Sequence, residues 1–261
     1  NGSDPDNYAN FNHLKWLMES GSGFQHQHNV SIQGGNDKTS YNVSLGYRNQ
    51  EGMTAKTNNE RMTALVSLKS EIAKGLTMNI NLNAYNNKYN SPVGIGGIIG
   101  YSVREPFYIP GFKSDGSYGY QDNYSPEARL NSESFTQNIG RNVRGTAQLT
   151  WNTPIKGLSL IGKAGASYYS SFNKDYNAVV YFDDSKSEGP ANLNVSSSNN
   201  TYTTFEAMAT YEKQIKSHAF KVLAGTSVEQ STNRGLSGYR NTFPNNFLYE
   251  LSSGDASTSS N

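Results

Sequence analysis

The sequence lacks several features that would point to a familiar class of protein. Its 261 residues contain no cysteine, which excludes disulfide bonds and thiolate metal sites. The 22 Lys and Arg nearly balance the 21 Asp and Glu, and the net charge is +1. No basic tract interleaves with the aromatic residues, so nucleic acid is not expected as a partner. No apolar run reaches the ~18 residues of a membrane-spanning helix.

Large apolar residues are also scarce. Only 34% of the chain is hydrophobic, whereas Asn, Ser and Thr are frequent and there are 25 Gly and 18 Tyr. A soluble core in a chain of this length would normally contain more Leu, Ile, Val and Phe. Strands with water on one face and lipid on the other need only a narrow apolar band, so this composition suits a membrane barrel.

What the sequence does contain is a two-residue alternation of apolar and polar side chains. In the segment Val143 to Tyr169 two such runs are joined by a short turn, which predicts an antiparallel hairpin. Seven or eight runs of roughly 9 to 14 residues can be marked, the length of a tilted bilayer-crossing strand. They are Gln25 to Gln33, Thr39 to Asn49, Arg61 to Ile72, Leu76 to Ala84, the two runs of the hairpin, Thr201 to Lys213 and Ala219 to Gln230.

The connections between these runs alternate in length. Short links occupy 34–38, 73–75, 153–156 and 215–217, and longer links occupy 50–60, 90–140 and 171–200. Outer-membrane barrels have short periplasmic turns at one end and long extracellular loops at the other. We therefore predict an all-β fold, an antiparallel transmembrane β-barrel segment of about eight strands.

The predicted organisation has three parts. Residues 1–24 lead into the barrel and include a short helix, residues 25–230 carry the strands, and residues 231–261 begin a further extracellular loop. Both ends are polar and neither resembles the natural end of an exported protein, so we expect an internal fragment of a longer chain.

The loop 90–140 is the candidate ligand-binding region, because it combines aromatic rings with polar and charged side chains. Sugars present apolar faces and hydroxyl groups, which suit such a combination. The alternative is that these rings pack the loop against itself or against a partner, since a loop of this length needs a small core. The candidate residues are Arg104, Tyr108, Asp115, Tyr118, Tyr120, Asp122, Asn123 and Tyr124.

The histidines give little support for a metal site or an enzyme. His26 and His28 share one face of a strand, as metal ligands would, but that face is apolar and a headgroup-level pair is the favoured interpretation. His13 and His218 stand alone, and the long loops contain no histidine. No catalytic residue, metal or cofactor is expected.

One stretch resembles a known family. The run Trp16 to Met53, "WLMESGSGFQHQHNVSIQGGNDKTSYNVSLGYRNQEGM", is similar to the opening barrel strands of SusC-like (SusC/RagA-type) TonB-dependent outer-membrane transporters of the Bacteroidetes type. The segment Arg104 to Tyr118 resembles part of the first long external loop of that family, and "IAKGLTMNINLNAY" resembles its third hairpin. The matching residues are Trp16, Asn29, Ser31, Gly34, Gly35, Tyr41, Ser44, Leu45, Gly46, Tyr47, Gln50, Glu51 and Gly52.

The resemblance implies part of a 22-stranded barrel in the outer membrane of a Gram-negative bacterium. It implies import of glycans or oligosaccharides, in some members peptides, with a SusD-like surface lipoprotein as lid. Energy would come from the TonB complex through an N-terminal plug that this sequence does not contain. Charges of mixed sign on the inward-facing positions favour a neutral cargo.

Two other interpretations stay open from the residues alone. One is a complete eight-stranded outer-membrane barrel that acts as an adhesin or anchor, in which the last strand pairs with the first. The other is a soluble carbohydrate-binding β-sandwich, in which the apolar rows of two sheets face each other.

Overall fold

A single antiparallel sheet dominates the computed structural model, which describes residues 4–258. Eight strands follow one another in a meander, each hydrogen-bonded to the next, and a separate two-stranded hairpin lies in one connection. The strands of the sheet are β1 (Gln25–Gly35), β2 (Thr39–Glu51), β3 (Asn58–Ala73), β4 (Leu76–Ser91), β5 (Phe135–Asn152), β6 (Leu158–Asn177), β9 (Asn192–Ile215) and β10 (His218–Asn241), and the hairpin is formed by β7 (Val180–Tyr181) and β8 (Ser187–Glu188).

The helices are short and lie outside the sheet. They are α1 (His13–Met18), α2 (Ile95–Arg104) and α3 (Pro126–Asn131), and two single 3₁₀ turns, Leu251–Ser253 and Ala256–Thr258, follow β10. No helix in residues 4–258 has the length and hydropathy needed to span a membrane.

The alternation predicted from the sequence becomes two distinct faces of the sheet. Ile80 lies directly opposite Leu68 on β3 and Ala147 on β5, and the same row continues to Ala164 and Phe205. We call this side the apolar face; it also carries Val30, Ile32, Val43, Leu45, Met62, Leu82, Val143, Leu149, Leu160 and Val228. The opposite side, the polar face, carries Ser31, Asn42, Arg48, Lys69, Asn81, Arg144, Lys163 and Glu206.

The apolar face is not covered by a second layer of the described chain. Val30, Phe205 and Val228 are 62–66% exposed, although a soluble domain would bury such a row. Along β4 the band runs from Leu76 to Ala84, nine residues or roughly 26 Å of strand at ~3.3 Å per residue. A tilted strand needs about 9–11 residues to cross a bilayer, so the band has the length of a membrane-spanning segment. Trp151, Tyr211 and Phe220 lie near one margin of the band, where an aromatic girdle is expected.

The connections sort by length as predicted. Two- to five-residue turns close β1–β2, β3–β4, β5–β6 and β9–β10, and two of them use glycines with positive φ, Gly75 (73°) and Gly157 (90°). A glycine adopts this left-handed conformation without the steric penalty of a side chain. The longer connections, 52–57, 92–134 and 178–191, all lie at the opposite end of the sheet.

The strands are longer than the alternation indicated. Most of the predicted loop 171–200 is strand, since β6 continues to Asn177 and β9 starts at Asn192, and residues 231–241, assigned to a further loop, belong to β10. These extensions are rich in Ser and Asn on both faces, so they show no apolar period. Hydrogen bonds between side chains on adjacent strands tie them together, among them Ser171 Oγ to Ser198 Oγ at 2.8 Å and Asn177 to Asn192 at 2.9 Å.

The two alternative folds do not match this architecture. Within residues 4–258, β1 pairs only with β2 and β10 only with β9, so the eight strands form an open sheet rather than a closed small barrel. The described chain also has no second large sheet, which a sandwich requires.

A pair of arginine substitutions tests which solvent each face meets. Ile80→Arg places a charge in the central row of the apolar band and should destabilise a membrane-inserted barrel by about 2–4 kcal/mol. Asn81→Arg, one residue further along but on the polar face, should cost less than about 0.5 kcal/mol, as for ordinary surface changes. Urea unfolding of the complete protein in lipid vesicles measures both. Equal costs for the two variants would contradict the assignment of the faces.

Candidate functional site

The polar face of the sheet is a mainly hydrophilic wall, interrupted by Leu65 and by the adjacent pair Ile161 and Met208. Lys163 on β6 and Glu206 on β9 are directly opposite each other and form an ion pair, with Nζ to Oε1 at 3.0 Å. Arg61 on β3 lies over the ring of Tyr85 on β4, 4.6 Å from its centroid. The Lys163 and Glu206 charges offset each other, whereas Arg48 and Arg61 lie directly opposite each other with like charge. Between these charges the wall offers mainly amide and hydroxyl groups.

The buried core of the molecule lies in the loops at the long-connection end. Leu17 of α1, Ile98 of α2 and Leu130 of α3 are fully buried against one another and bring the three helices together. Side-chain caps fix where two of these helices begin: Asn12 accepts from Lys15 N–H at 2.9 Å, and Ser125 accepts from Ala128 N–H at 3.3 Å. We call this unit the helix cluster.

A buried ion pair links the N-terminal ends of α1 and α3 in the helix cluster. His13, the first residue of α1, places Nδ1 2.8 Å from Oε1 of Glu127 in the first turn of α3, and both side chains are almost inaccessible. The other ring nitrogen, Nε2, lies 3.2 Å from the carbonyl oxygen of Ile109. Since both ring nitrogens face acceptors, the doubly protonated, charged imidazole fits this position. The prediction that His13 stands alone is wrong.

Glu105 is a second buried acid beside this pair. It is 6% exposed, and its Oε1 has no hydrogen-bond partner in the described part of the chain. Burial raises the pKa of Glu105 to about 7, with His13 acting in the opposite direction. Burial by itself would lower the pKa of His13, but the hydrogen bond and charge of Glu127, together with Glu105, raise it above its ordinary value.

Four candidate residues lie on or beside an aromatic and guanidinium stack. The rings of Tyr101 and Tyr124 are parallel at 3.7 Å between centroids. Arg104 lies 4.5 Å from the Tyr101 centroid, and Arg129 lies 4.2 Å from the Tyr124 centroid while its guanidinium pairs with Glu188. Burial raises the pKa of Tyr124 to about 12. Next to Tyr124, Asp122 and Asn123 adopt positive φ values of 52° and 59° in the turn that places this ring.

The remaining candidate residues divide into packed and exposed positions. Tyr118 and Tyr120 pack against the buried Phe182 cluster that joins this loop to the β7–β8 hairpin. Asp115 accepts from Ser117 N–H at 2.8 Å and shapes a turn. Tyr108 is 56% exposed and is held through its backbone, whose carbonyl accepts from Ala9 N–H at 3.0 Å. Most of the aromatic set thus gives the loop its own core, and Tyr108 offers an open ring.

The sequence did not identify His13, Glu105, Glu127 and Arg129 as a group. A local signal exists only for Glu127, since Ser125 and Pro126 precede it in the pattern of a helix N-terminus. Partners more than 90 positions apart share no local pattern. The side chains of this cluster hold one another in fixed positions between the helices, which orders the loops.

The architecture is thus a segment of an antiparallel barrel wall with structured loops at one end. No protein-family model matches the chain, and no curated protein matches it. Among solved structures, the RagAB peptide transporter contains a chain with a TM-score of 0.74 and 21% identity, and the match covers 97% of this chain and 29% of that one. For the "closed-closed" state of the RagAB peptide importer the TM-score is 0.73 at 20% identity, and the match covers 89% of this chain and 27% of that chain.

The "open-open" state of the same importer gives a TM-score of 0.68 at 22% identity, covering 88% of this chain and 26% of that chain. At these identities the likeness establishes the fold. The chain spans less than a third of the length of the solved chains that it matches.

The buried acids and histidine predict a pH dependence of the helix cluster. The pKa values of both Glu105 and His13 are raised in the folded state, so each binds its proton more tightly there than in an opened loop. Stability of the cluster should therefore fall as pH rises from 4.5, the ordinary value for Glu105, through about 7, and further as His13 loses its proton above 6.5.

Hydrogen exchange of residues 92–134 in the complete protein, followed between about pH 5 and 8 and corrected for intrinsic rates, measures this change. The Glu105→Gln variant keeps the shape of the side chain without a titrating group. In this variant we expect the exchange rate of residues 92–134 to change less with pH below about 7. Near neutral pH we expect these amides to exchange more slowly than in the unmodified protein. Protection that increases with pH in the unmodified protein would contradict this assignment.

Proposed function

We propose that this chain forms part of the wall and external loops of an outer-membrane transporter that imports oligomeric polar nutrients into a Gram-negative bacterium. The observation that carries the proposal is the separation of the two faces of one open sheet. An exposed apolar band about as long as a tilted bilayer-crossing strand lies on one side, and a mainly hydrophilic wall lies on the other. The fold shared with the RagAB peptide transporter supports it.

The open edges fit a role as one part of a larger wall. β1 and β10 each leave one row of backbone groups without a partner in the described chain, and such groups are not tolerated inside lipid. Further strands on both sides would satisfy them. The match to less than a third of much longer solved chains supports the same interpretation.

The first candidate cargo is an oligosaccharide, and the second is a peptide. The polar face is rich in hydroxyl and amide groups, and its charged residues are of mixed sign, with Lys163 paired to Glu206 and Arg48 opposite Arg61. The hydroxyl and amide groups suit a neutral polar molecule. A peptide is favoured by the description of the solved neighbours as a peptide importer. Both cargoes present polar groups along a chain and apolar patches that an exposed ring can contact.

A surface lipoprotein of the SusD type is the proposed partner, and the TonB complex is the proposed energy source, reached through a plug outside this sequence. The long loops would meet both the cargo and the lipoprotein. Their small cores around Leu17, Phe182 and Tyr176 support them as fixed surfaces rather than loose coils. In this proposal the chain carries no catalytic step.

Tyr108 provides a direct test of the loop in cargo binding. Tyr108→Ala removes an exposed ring without removing a buried contact, and we expect cargo affinity of the complete transporter to fall roughly 2- to 10-fold, the range for one aromatic contact. Titration of labelled oligosaccharide and peptide mixtures, each offered separately, measures the loss and identifies the cargo class.

Tyr168→Ala is the matched control, because Tyr168 has similar exposure, 48%, but lies on the apolar face. It should leave affinity unchanged. If neither mixture binds to or is taken up by the unmodified transporter, the proposed function is wrong. Binding that is insensitive to Tyr108 would instead remove this residue from the cargo site.

A further inference from the structure

A groove of about 710 Å³ lies on the apolar face near the long-loop end. Its floor is formed by two small residues, Ala64 on β3 and Ala84 on β4, which are directly opposite each other. Leu45 and Val143, the neighbours in the same row, stand on either side. The missing side-chain volume at the alanines therefore creates the depression, which we call the rim groove. Its volume falls in the range of about 300–1,000 Å³ typical of small-molecule sites.

The upper margin of the rim groove is polar and cationic. Tyr47, Met62, Asn86 and Arg141 form the next row towards the loops. Arg141 Nε donates to Asn86 Oδ1 at 3.2 Å, which orients the guanidinium over the groove. Among the described residues, Arg141 forms no ion pair with a carboxylate. Its charge is thus available to a ligand.

Other ionisable residues near this level of the apolar face include His28, Lys88 and Glu60. His28 lines the groove, and Lys88 lies two residues beyond Asn86 on β4. Glu60 on β3 is an acidic residue in this region. It lies directly opposite Lys88 of β4 and one row closer to the loops than Arg141. Glu60 and Lys88 are opposite charges in opposed positions, and among the described residues Arg141 forms no ion pair, so Arg141 is the uncompensated charge at the margin of the groove.

The margin also lies at the depth where lipid headgroups are expected. Phe24, His26 and Tyr47 form an aromatic cluster here, with His26 5.7 Å from Phe24 and 5.6 Å from Tyr47 between ring centroids. Aromatic side chains with a polar group are enriched at membrane interfaces. The row below the margin is wholly apolar at Val30, Leu45 and Val143, so the groove descends from the headgroup region into the hydrocarbon region.

We propose that the rim groove binds an acyl chain of a membrane lipid whose anionic phosphate headgroup contacts Arg141. This inference rests on the proposed function, because it requires that the apolar face meets lipid. The apolar floor and walls suit an acyl chain, and the oriented guanidinium suits a phosphate oxygen. A lipid held here is a resident ligand of the barrel exterior and is separate from cargo.

A second groove on the apolar face serves as a control for the role of Arg141. It measures about 440 Å³ and is lined by Ala147, Leu149, Ala164, Phe205 and Ala207, nearer the centre of the band. The charged residues beside it, Lys163 and Glu206, pair with each other on the polar face. This groove therefore offers apolar surface without an available cation.

Lipid competition on the complete transporter tests the proposal. The detergent-solubilised protein is mixed with equal amounts of phosphatidylglycerol and phosphatidylcholine that have the same acyl chains, and retained lipids are identified by native mass spectrometry. We expect phosphatidylglycerol to be retained about five-fold over phosphatidylcholine, the effect of one basic residue near an anionic headgroup.

Two substitutions separate the charge from the groove. Arg141→Gln should remove the preference, and Ala84→Leu, which fills the floor, should reduce retention of phosphatidylglycerol. The matched controls are Arg144→Gln on the polar face and Ala164→Leu in the second groove, and both should keep the preference.

An unchanged preference in Arg141→Gln would overturn the proposal, as would full displacement of phosphatidylglycerol by an equal concentration of glycerol phosphate, which would indicate a site for the free anion. Because this measurement uses no cargo, its failure leaves the transport proposal standing. Failure of the unmodified protein to bind cargo would be detected in the titration with oligosaccharide and peptide mixtures, and it would count against the transport proposal.

Discussion

The backbone ladder across eight antiparallel strands, which shifts register between Glu71 and Ala73 beside the β3–β4 turn, is the constraint on which the rest of the structure depends. Directly opposed residues share a face, so Val30, Leu45 and Ala64 on three successive strands stay in one row. A slip of one residue in any strand would exchange its two faces. The register therefore creates both the apolar band and the polar wall, and neither requires a buried core within the sheet.

The loops are stabilised differently from the sheet, because water rather than lipid surrounds them. They build small cores from residues distant in sequence, as where Leu17, Ile98 and Leu130 join three helices. Long polar strand extensions carry these cores away from the apolar band. The buried His13–Glu127 pair then fixes the helix cluster by charge.

The sequence predicted the strands best where one face is apolar. Leu76 to Ala84 alternates without interruption, and its strand pairing follows that pattern. Prediction failed for residues 192–200 and 231–241, because a strand with water on both faces needs no apolar period. The ring-rich composition of the loop 90–140 indicated aromatic packing, whereas the His13–Glu127 contact depends on how distant helices meet. Whether Tyr108 and its neighbours bind a ligand stays a prediction.

Site-directed labelling along β4 tests the central claim, that alternate side chains of this sheet meet lipid and water. The 261 residues contain no cysteine, so an introduced cysteine is the one thiol of this segment. Spin labels at positions 78, 80 and 82 of the complete protein in vesicles should collide mainly with oxygen, which concentrates in lipid. Labels at positions 79, 81 and 83 should collide mainly with a water-soluble relaxation agent. Accessibility that does not alternate between these two sets would contradict the account.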